Sequence, residues 1–174
     1  MVKIQYYLQL LRVRYWINNI LIFVPLFFNG DFFGFPLIVN AVLGFICFSL
    51  LSSIVYILND IRDIEKDRFH SVKYQRPLAS GKISVSCAIT ILTILSLLLI
   101  TLLVILKILG NLPNLLSIGL LLLYLVLNIG YSWGLKNIPI VDVTILASGY
   151  VIRVLFGAVI IGVNVSIWLY LVIP

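Results

Sequence analysis

Long apolar runs dominate the chain, and they lack the regular polar interruptions of a half-buried strand or of an amphipathic helix. Six apolar segments can be distinguished, at about 16–28, 36–58, 84–106, 114–131, 141–163 and from about 166 onward. Four of them approach or exceed the roughly 20 residues that a helix needs to cross a hydrocarbon core. Backbone groups in lipid must be hydrogen-bonded within each segment, so the pattern predicts an all-α, polytopic transmembrane helical bundle. We expect residues 1–174 to form a single integral-membrane domain.

The first and last apolar segments need separate interpretation. Residues 16–28 follow a basic start, as in a signal peptide, but a polar "NGDFFG" turn leads directly into the next span, so we interpret them as a membrane anchor. The preceding stretch, "VKIQYYLQLLRVRYW", mixes apolar, aromatic and basic residues as an interfacial helix does. The last segment has only about nine residues before Pro174, whereas a span needs roughly 20. The chain is therefore expected to stop inside a helix, as the N-terminal portion of a longer protein.

The composition indicates that the chain lies in lipid, and the distribution of its charges indicates how it is oriented in the membrane. Hydrophobic residues make up 63% of the chain and charged residues 10%, and the mean hydropathy is +1.20. Ten of the twelve Lys and Arg residues fall on one side of the membrane: three before the first span, six in the 59–83 loop, and Lys136. The positive-inside rule places that side in the cytoplasm, with the N-terminus and the loops at about 59–83 and 132–140. Topology in a cell (inner) membrane thus explains the net charge of +6 without nucleic acid as a partner.

One polar stretch is not explained by the orientation of the chain in the membrane. Residues 59–82, "NDIRDIEKDRFHSVKYQRPLASGK", contain ten of the 18 charged side chains, four of them carboxylates. Suppose that the second span continues as a helix, in which each residue turns by about 100° around the axis. With Asn59 at zero, Asp63, Asp67 and Asp60 then lie near 40°, 80° and 100° around the helix. Glu65 falls near 240°, on another face. The spacing therefore predicts one face with four oxygen-bearing side chains.

A face of this kind suggests a metal site. Three neighbouring carboxylates repel one another unless a cation lies among them, and all-oxygen ligands suit Mg²⁺, which takes further ligands from substrate phosphates. The predicted ligands are Asn59, Asp60, Asp63 and Asp67. Cations in the same stretch could hold further phosphate oxygens, namely Arg62, Lys66, Lys73, Arg76 and Lys82. On spacing alone the alternative stays open that this is a solvated, salt-bridged loop that caps a helix.

Residues 59–84 also resemble a known motif. "NDIRDIEKDRFHSVKYQRPLASGKIS" is similar to the first aspartate-rich motif of the UbiA superfamily of intramembrane prenyltransferases, N-D-x-x-D-x-x-x-D followed by R-P-L-A-S-G. The resemblance implies a bundle of nine spans, of which about six are present here, the last one truncated. It also implies a second polar motif after the sixth span.

A second segment indicates which group of the superfamily the chain resembles. Residues 131–158, "YSWGLKNIPIVDVTILASGYVIRVLFGA", resemble the Y-S-x-x-L-K-x-x-P-x-x-D-V segment of the superfamily's decaprenyl-phosphate phosphoribosyltransferase group. The start, "LRVRYWINNILIFVPLFFNG", is similar to that group's R-P-x-Q-W-x-K-N, but Val13, Tyr15 and Asn18 replace Pro, Gln and Lys, and Ser71 replaces another Pro. Cations that could replace the lost lysine are Lys3, Arg12 and Arg14.

The resemblance implies Mg²⁺-dependent transfer of a 5-phosphoribosyl group from phosphoribosyl diphosphate to a polyprenyl phosphate. The expected catalytic residues are Asp60, Asp63 and Asp67, which would hold the metal on the leaving diphosphate. Cytoplasmic-edge cations would position the lipid phosphate: Arg14, Arg76 and Lys136. The second segment adds two substrate-binding candidates, Tyr131 and Asp142.

Arg153 is unusual because it lies within an apolar segment, where a cation costs from about 2.5 kcal/mol upward and is a candidate for function. Asp142 lies on the same helical face but about 16 Å away along the axis, too far to pair directly. Gly149 and Gly157 lie on the Arg153 side at intervals of four and could let another helix approach. Arg153 is therefore either a substrate-binding residue or a structural cation tied to a neighbouring helix or to backbone carbonyls.

Two other functions stay open. The same fold and metal site could transfer a prenyl group from a prenyl diphosphate to an aromatic acceptor. A transporter or membrane scaffold without catalysis is disfavoured because transporters place polar groups near the midplane, whereas here the charge gathers at one edge.

Overall fold

The computed structural model describes residues 3–28, 34–108, 114–135 and 138–162. Within these ranges the chain is helical and contains no strand, which confirms the all-α prediction. The α-helices are α1 (Ile4–Leu10), α2 (Val24–Phe28), α3 (Phe35–Arg62), α4 (Ile64–Arg68), α5 (Val85–Ile108), α6 (Leu115–Ser132) and α7 (Pro139–Ile161). Two 3₁₀ helices cover Val13–Phe23 and Lys73–Gln75.

Among the described residues, four helices are long and apolar enough to cross a membrane, namely α3, α5, α6 and α7. A fifth span is present if α1 and Val13–Phe28, which are bent by 47°, are counted as one broken span. The predicted segments correspond to these helices to within a few residues, and the sixth lies outside the described residues. The first span differs in form, because most of it is a 3₁₀ helix that leads into α2. The bend follows Arg12, whose φ of 52° places it in the left-handed region.

Helix α3 occupies the centre of the bundle and contacts α5, α6, α7 and the first 3₁₀ helix. The ring of Phe48 in α3 lies 4.7 Å from that of Tyr124 in α6 and 5.5 Å from that of Phe156 in α7. With 28 residues, α3 is about 42 Å long, longer than the roughly 30 Å of a hydrocarbon core. Its polar C-terminal end can therefore reach the membrane surface while its middle stays in lipid.

The first span is fixed to α3 by polar contacts within the apolar bundle. Trp16 Nε1 donates to Ser53 Oγ at 3.0 Å, and Ser53 Oγ donates to the carbonyl of Leu11 at 2.8 Å. One turn deeper, Asn19 Nδ2 donates to Ser49 Oγ at 3.0 Å. Hydrogen bonds of this kind hold helices together where lipid removes the hydrophobic driving force.

Close backbone approach completes the packing of the first span. A methyl group added at Gly157 of α7 would collide with the backbone carbonyl of Ile22 in the 3₁₀ helix. The helices can approach to this distance only because residue 157 has no side chain. Helix α5, by contrast, packs on α3 and presents most of its apolar surface outward, as expected for a lipid-facing span.

Candidate active site

Three aspartates face inward where α3 ends and α4 begins. The exposed fractions are 3% for Asp60, 7% for Asp63 and 4% for Asp67, whereas Glu65 is exposed. The helix breaks at Asp63, with φ −91° and ψ 9°. The i to i−4 hydrogen bonds nevertheless continue through the break, from the Asp63 amide to Asn59 and from the Asp67 amide to Asp63. The break therefore preserves the register that places the aspartates on one face.

Two arginines bind two of these carboxylates, those of Asp60 and Asp67. Arg76 Nη1 lies 2.6 Å from Asp67 Oδ2 and 3.1 Å from Asp60 Oδ1, so one guanidinium bridges two aspartates. Arg12 Nη2 lies 2.7 Å from the same Asp60 oxygen. The guanidinium of Arg12 also lies over the ring of Tyr56, 4.7 Å from its centroid. Positive charge from the bend in the first span and from the loop before α5 thus balances the buried carboxylates.

Arg76 is held in place by the ordered loop that follows it. The carbonyl of Arg76 accepts hydrogen bonds from the amide and the hydroxyl of Ser80. Pro77, Leu78 and Ala79 are buried, and Leu78 packs in the core cluster that contains Leu10 and Ile57. The apolar residues of "RPLASGK" therefore anchor the loop beside α3 and hold Arg76 next to the aspartates.

The donor chemistry of this stretch fits a hard divalent cation, because residues 59–67 carry three buried carboxylates and the amide of Asn59. Asn59 Oδ1 accepts a hydrogen bond of 2.8 Å from Ser132 Oγ, which fixes the orientation of the amide. In the described part of the chain, no three His, Cys, Asp or Glu side chains lie close enough together to hold an ion. Arg76 and Arg12 supply the compensating charge instead, so a bound ion would take over arginine contacts.

A polar cavity of about 300 Å³ runs inward from this cluster, between the first 3₁₀ helix, α3, α6 and α7. Asp63 lines it together with four cations, Arg12, Lys73, Arg76 and Arg153. Hydroxyl and amide groups line much of the rest: Asn18, Tyr56, Asn59, Tyr124, Asn128, Tyr131, Ser132 and Tyr150. A lining of this kind suits a polyol that carries phosphate groups better than an isoprenoid.

Arg153 lies at the inner end of this cavity and is 6% exposed. Its Nε donates to Asn19 Oδ1 at 2.8 Å, its Nη1 to the carbonyl of Gly149 at 2.6 Å, and its Nη2 to the Tyr124 hydroxyl at 3.2 Å. A methyl group added at Gly149 would lie 3.3 Å from Nη1, so the glycine leaves room for the guanidinium. Arg153 is thus tied to a neighbouring helix and to a backbone carbonyl, while it also lines the cavity.

A second, wider groove of about 980 Å³ lies outside the cluster, between α1 and the loop that contains the short 3₁₀ helix. One carboxylate, that of Asp60, lines this groove. Five cations line it as well, namely Arg12, Arg14, Lys73, Arg76 and Lys82. Three of these, Arg12, Lys73 and Arg76, also line the inner cavity. These three cations therefore lie where the two spaces meet.

The remaining predicted residues are dispersed. Arg62 is exposed beside the Trp133 ring, 5.9 Å from its centroid, and Lys66 is exposed on α4. The carboxylate of Asp142 interacts with the Tyr131 hydroxyl, and its buried Oδ1 has no hydrogen-bond partner among the described residues. Lys136 lies outside the described residues.

The structure adds residues that the sequence did not single out. Asn19, Tyr56, Tyr124 and Asn128 bring polar atoms to the cavity or to Arg153 from inside the apolar segments. Their signal in the sequence is weak but present, since an amide within an apolar run must find a hydrogen-bond partner.

Comparison with protein families and curated proteins gives a consistent result. The model of the UbiA prenyltransferase family matches residues 20–174. The chain is 32% identical over 167 residues to the decaprenyl-phosphate phosphoribosyltransferase of Corynebacterium glutamicum, covering 95% of this chain and 49% of that protein. It is 31% identical over 166 residues to the decaprenyl-phosphate phosphoribosyltransferase of Mycobacterium tuberculosis, covering 93% of this chain and 53% of that protein.

A solved structure of digeranylgeranylglyceryl phosphate synthase is similar in fold, with a TM-score of 0.70 and 26% sequence identity. The similarity covers 91% of this chain and 53% of that one. The chain spans about half the length of these relatives.

Proposed function

Because the chain belongs to the UbiA prenyltransferase family, we propose that the protein transfers a 5-phosphoribosyl group from phosphoribosyl diphosphate to a polyprenyl phosphate and releases diphosphate. The observation that carries the proposal is the cluster of three buried aspartates with Arg12, Lys73 and Arg76 at the mouth of a hydroxyl-lined cavity. The names of the Corynebacterium and Mycobacterium relatives support the same reaction.

The mouth of the cavity is suited to a diphosphate. The guanidinium forks of Arg12 and Arg76 can bind phosphate oxygens in pairs, and Lys73 adds a point charge. The ribose would then extend inward among the tyrosine and asparagine side chains.

The required metal would be Mg²⁺, with Asn59, Asp60, Asp63 and Asp67 as its protein ligands. The ion would neutralise charge on the diphosphate and so improve the leaving group. Divalent metal use is general in this family. Arg76 would move from the aspartates to phosphate oxygens when the site is loaded, so that the guanidinium stays paired with an anion in both states.

The reaction itself needs positioning more than acid–base chemistry. The bond from ribose C1 to the diphosphate oxygen breaks with oxocarbenium character, and an oxygen of the lipid phosphate forms the new bond to C1. The lipid phosphate is already ionised and gives up no proton. Arg14 and Lys73, which line the outer groove, would hold it, while Arg12 and Arg76 would stabilise charge on the departing diphosphate.

The orientation that we propose follows from charge. The aspartates, the loop with Arg76 and the end of α6 lie at one end of the bundle, which also carries most of the cations. The loops at about 59–83 and 132–140 would therefore face the cytoplasm, the side on which phosphoribosyl diphosphate, a soluble metabolite, is available. Residues 1–174 would belong to one domain of a multi-pass cell-membrane protein.

A side-by-side assay separates this function from prenyl transfer to an aromatic acceptor. The purified protein in detergent with Mg²⁺ is given phosphoribosyl diphosphate and a polyprenyl phosphate, or a prenyl diphosphate and 4-hydroxybenzoate. We expect product only from the first pair, because the cavity lining is polar. Prenylated 4-hydroxybenzoate without a phosphoribosyl lipid would contradict the proposal and favour the alternative.

A further inference from the structure

Arg153 is a buried cation whose hydrogen bonds, within the described part of the chain, all go to neutral groups. Its acceptors are an asparagine amide, a backbone carbonyl and a tyrosine hydroxyl, on Asn19, Gly149 and Tyr124. The rings of Phe48 and Tyr124 lie 5.1 Å from the guanidinium carbon. No carboxylate among the described residues forms an ion pair with Arg153. The inner end of the cavity therefore keeps a net positive charge.

That charge is costly where it lies. An arginine at membrane depth is unfavourable by about 2.5 kcal/mol or more, and neutral dipoles and ring faces compensate it only in part. A cation needed only to hold helices together could be paired with a carboxylate, as Arg12 and Arg76 are paired at the mouth. The inner site is built differently, since three neutral groups orient the guanidinium and leave its charge available.

Not all N–H donors of the Arg153 guanidinium are used by these hydrogen bonds. It carries five N–H groups, and the three hydrogen bonds use one each on Nε, Nη1 and Nη2. Two N–H groups remain on the terminal nitrogens of a side chain that lines the cavity. A tetrahedral anion such as a phosphate group accepts hydrogen bonds from such a pair.

We propose that the inner end of the cavity is an anion subsite in which Arg153 binds the 5-phosphate of phosphoribosyl diphosphate, and that Asn19 is its positioning residue. The identity of the anion rests on the proposed function. Phosphoribosyl diphosphate has two anionic ends joined by a polyol, and the cavity has a cationic mouth and a cationic inner end joined by hydroxyl and amide groups.

The sharpest test is Asn19→Asp, which changes charge and almost nothing else. The carboxylate can still accept from Arg153 Nε and, by rotation of the hydroxyl, from Ser49. It would pair with Arg153 and cancel the charge of the subsite. We expect binding of ribose 5-phosphate, without diphosphate or metal, to weaken about tenfold or more. KM for phosphoribosyl diphosphate should rise by a similar factor with kcat changed less, and thermal stability should be unchanged or higher.

The matched control is Asn114→Asp, the same substitution at an exposed position. Asn114 caps α6 by accepting from the Ser117 amide, and aspartate caps helices equally well. Binding of ribose 5-phosphate and KM should both stay at the wild-type value. Arg153→Lys, which keeps the charge but loses the fork, should weaken binding less than Asn19→Asp does.

The possible results test the anion subsite and the proposed phosphoribosyl transfer independently. Wild-type affinity for ribose 5-phosphate in Asn19→Asp would overturn the proposal and leave Arg153 a structural cation. Loss of that affinity at unchanged stability supports it, because a merely structural arginine would gain from the new ion pair. If the wild type binds 4-hydroxybenzoate instead, and Asn19→Asp abolishes that binding, the anion subsite stands and the phosphoribosyl function is contradicted.

Discussion

Nη1 of Arg76 lies 2.6 Å from Oδ2 of Asp67 and so joins the loop before α5 to the short helix α4. The same nitrogen reaches Asp60. The side chains of Asp60 and Asp67 alone are 3% and 5% exposed, against 24% for the side chain of Arg76. Charges this poorly solvated depend on one another, because neither partner can turn to water without breaking the packing. The ion pair makes Arg76 structural in the unloaded site as well as a candidate ligand for diphosphate.

Replacing Arg76 should therefore destabilise the protein. Arg76→Gln leaves two buried carboxylates without this cation and should lower the free energy of unfolding in detergent by about 3 kcal/mol. The added substitution Asp67→Asn should recover part of the loss, because it removes one of the stranded charges. Arg68→Gln is the control, since Arg68 is an exposed cation at the end of α4. An effect of Arg76→Gln no larger than that of Arg68→Gln would show that the bridge contributes nothing.

Substituting each of the three aspartates should lower turnover, whereas substituting Glu65 should not. Asp60→Asn, Asp63→Asn and Asp67→Asn should each lower turnover by about a hundredfold or more, because each removes a carboxylate that, in the proposed function, holds the metal on the diphosphate. Glu65→Gln should leave turnover near wild type, since Glu65 is exposed on another face. Turnover is measured across a Mg²⁺ titration. Equal losses at all four positions would contradict the inward face described for the aspartates.

The close approach of α7 to the first span gives a stability prediction. Gly157→Ala places a methyl group against the Ile22 carbonyl and should cost about 1–3 kcal/mol, measured by unfolding in detergent. Gly119→Ala is the matched control in α6, because its methyl group would meet nothing within 4 Å. It should be neutral or stabilising by up to about 1 kcal/mol. A neutral Gly157→Ala would mean that the two helices lie further apart.

Orientation can be read by labelling single cysteines in intact cells. In a background with Cys47 and Cys87 replaced by Ala, Ser71→Cys should resist an impermeant thiol reagent if its loop faces the cytoplasm, as we propose. Asn114→Cys, at the opposite end of α6, should be labelled readily. Both residues are exposed, so access to solvent does not separate them. The reverse labelling pattern would invert the topology.

The sequence predicted the helices and the inward aspartates because both depend on local periodicity. Apolar runs set the bounds of α3 and α5 to within a few residues. A rotation of 100° per residue, applied from Asn59, separated the aspartates from Glu65 even though the helix breaks at Asp63. Hydrogen bonding across the break kept the register.

The contacts that define the cavity could not be predicted in this way. Asn19 and Arg153 are 134 positions apart and meet only because α7 packs against the first span. Arg76 bridges two aspartates because the loop before α5 folds back onto α3 through buried Leu78. The 3₁₀ form of the first span was missed as well, since its composition does not distinguish it from an α-helix.

The central claim is that the phosphoribosyl group, and not a phosphate, moves to the lipid. The most direct measurement uses two samples of phosphoribosyl diphosphate, one with radioactive phosphorus in the 5-phosphate and one with it in the β-phosphate. With polyprenyl phosphate and Mg²⁺, the 5-phosphate label should enter the lipid extract, while the β-phosphate label should stay in water as diphosphate. Radioactive lipid from the β-labelled sample, or no radioactive lipid from either, would contradict the account.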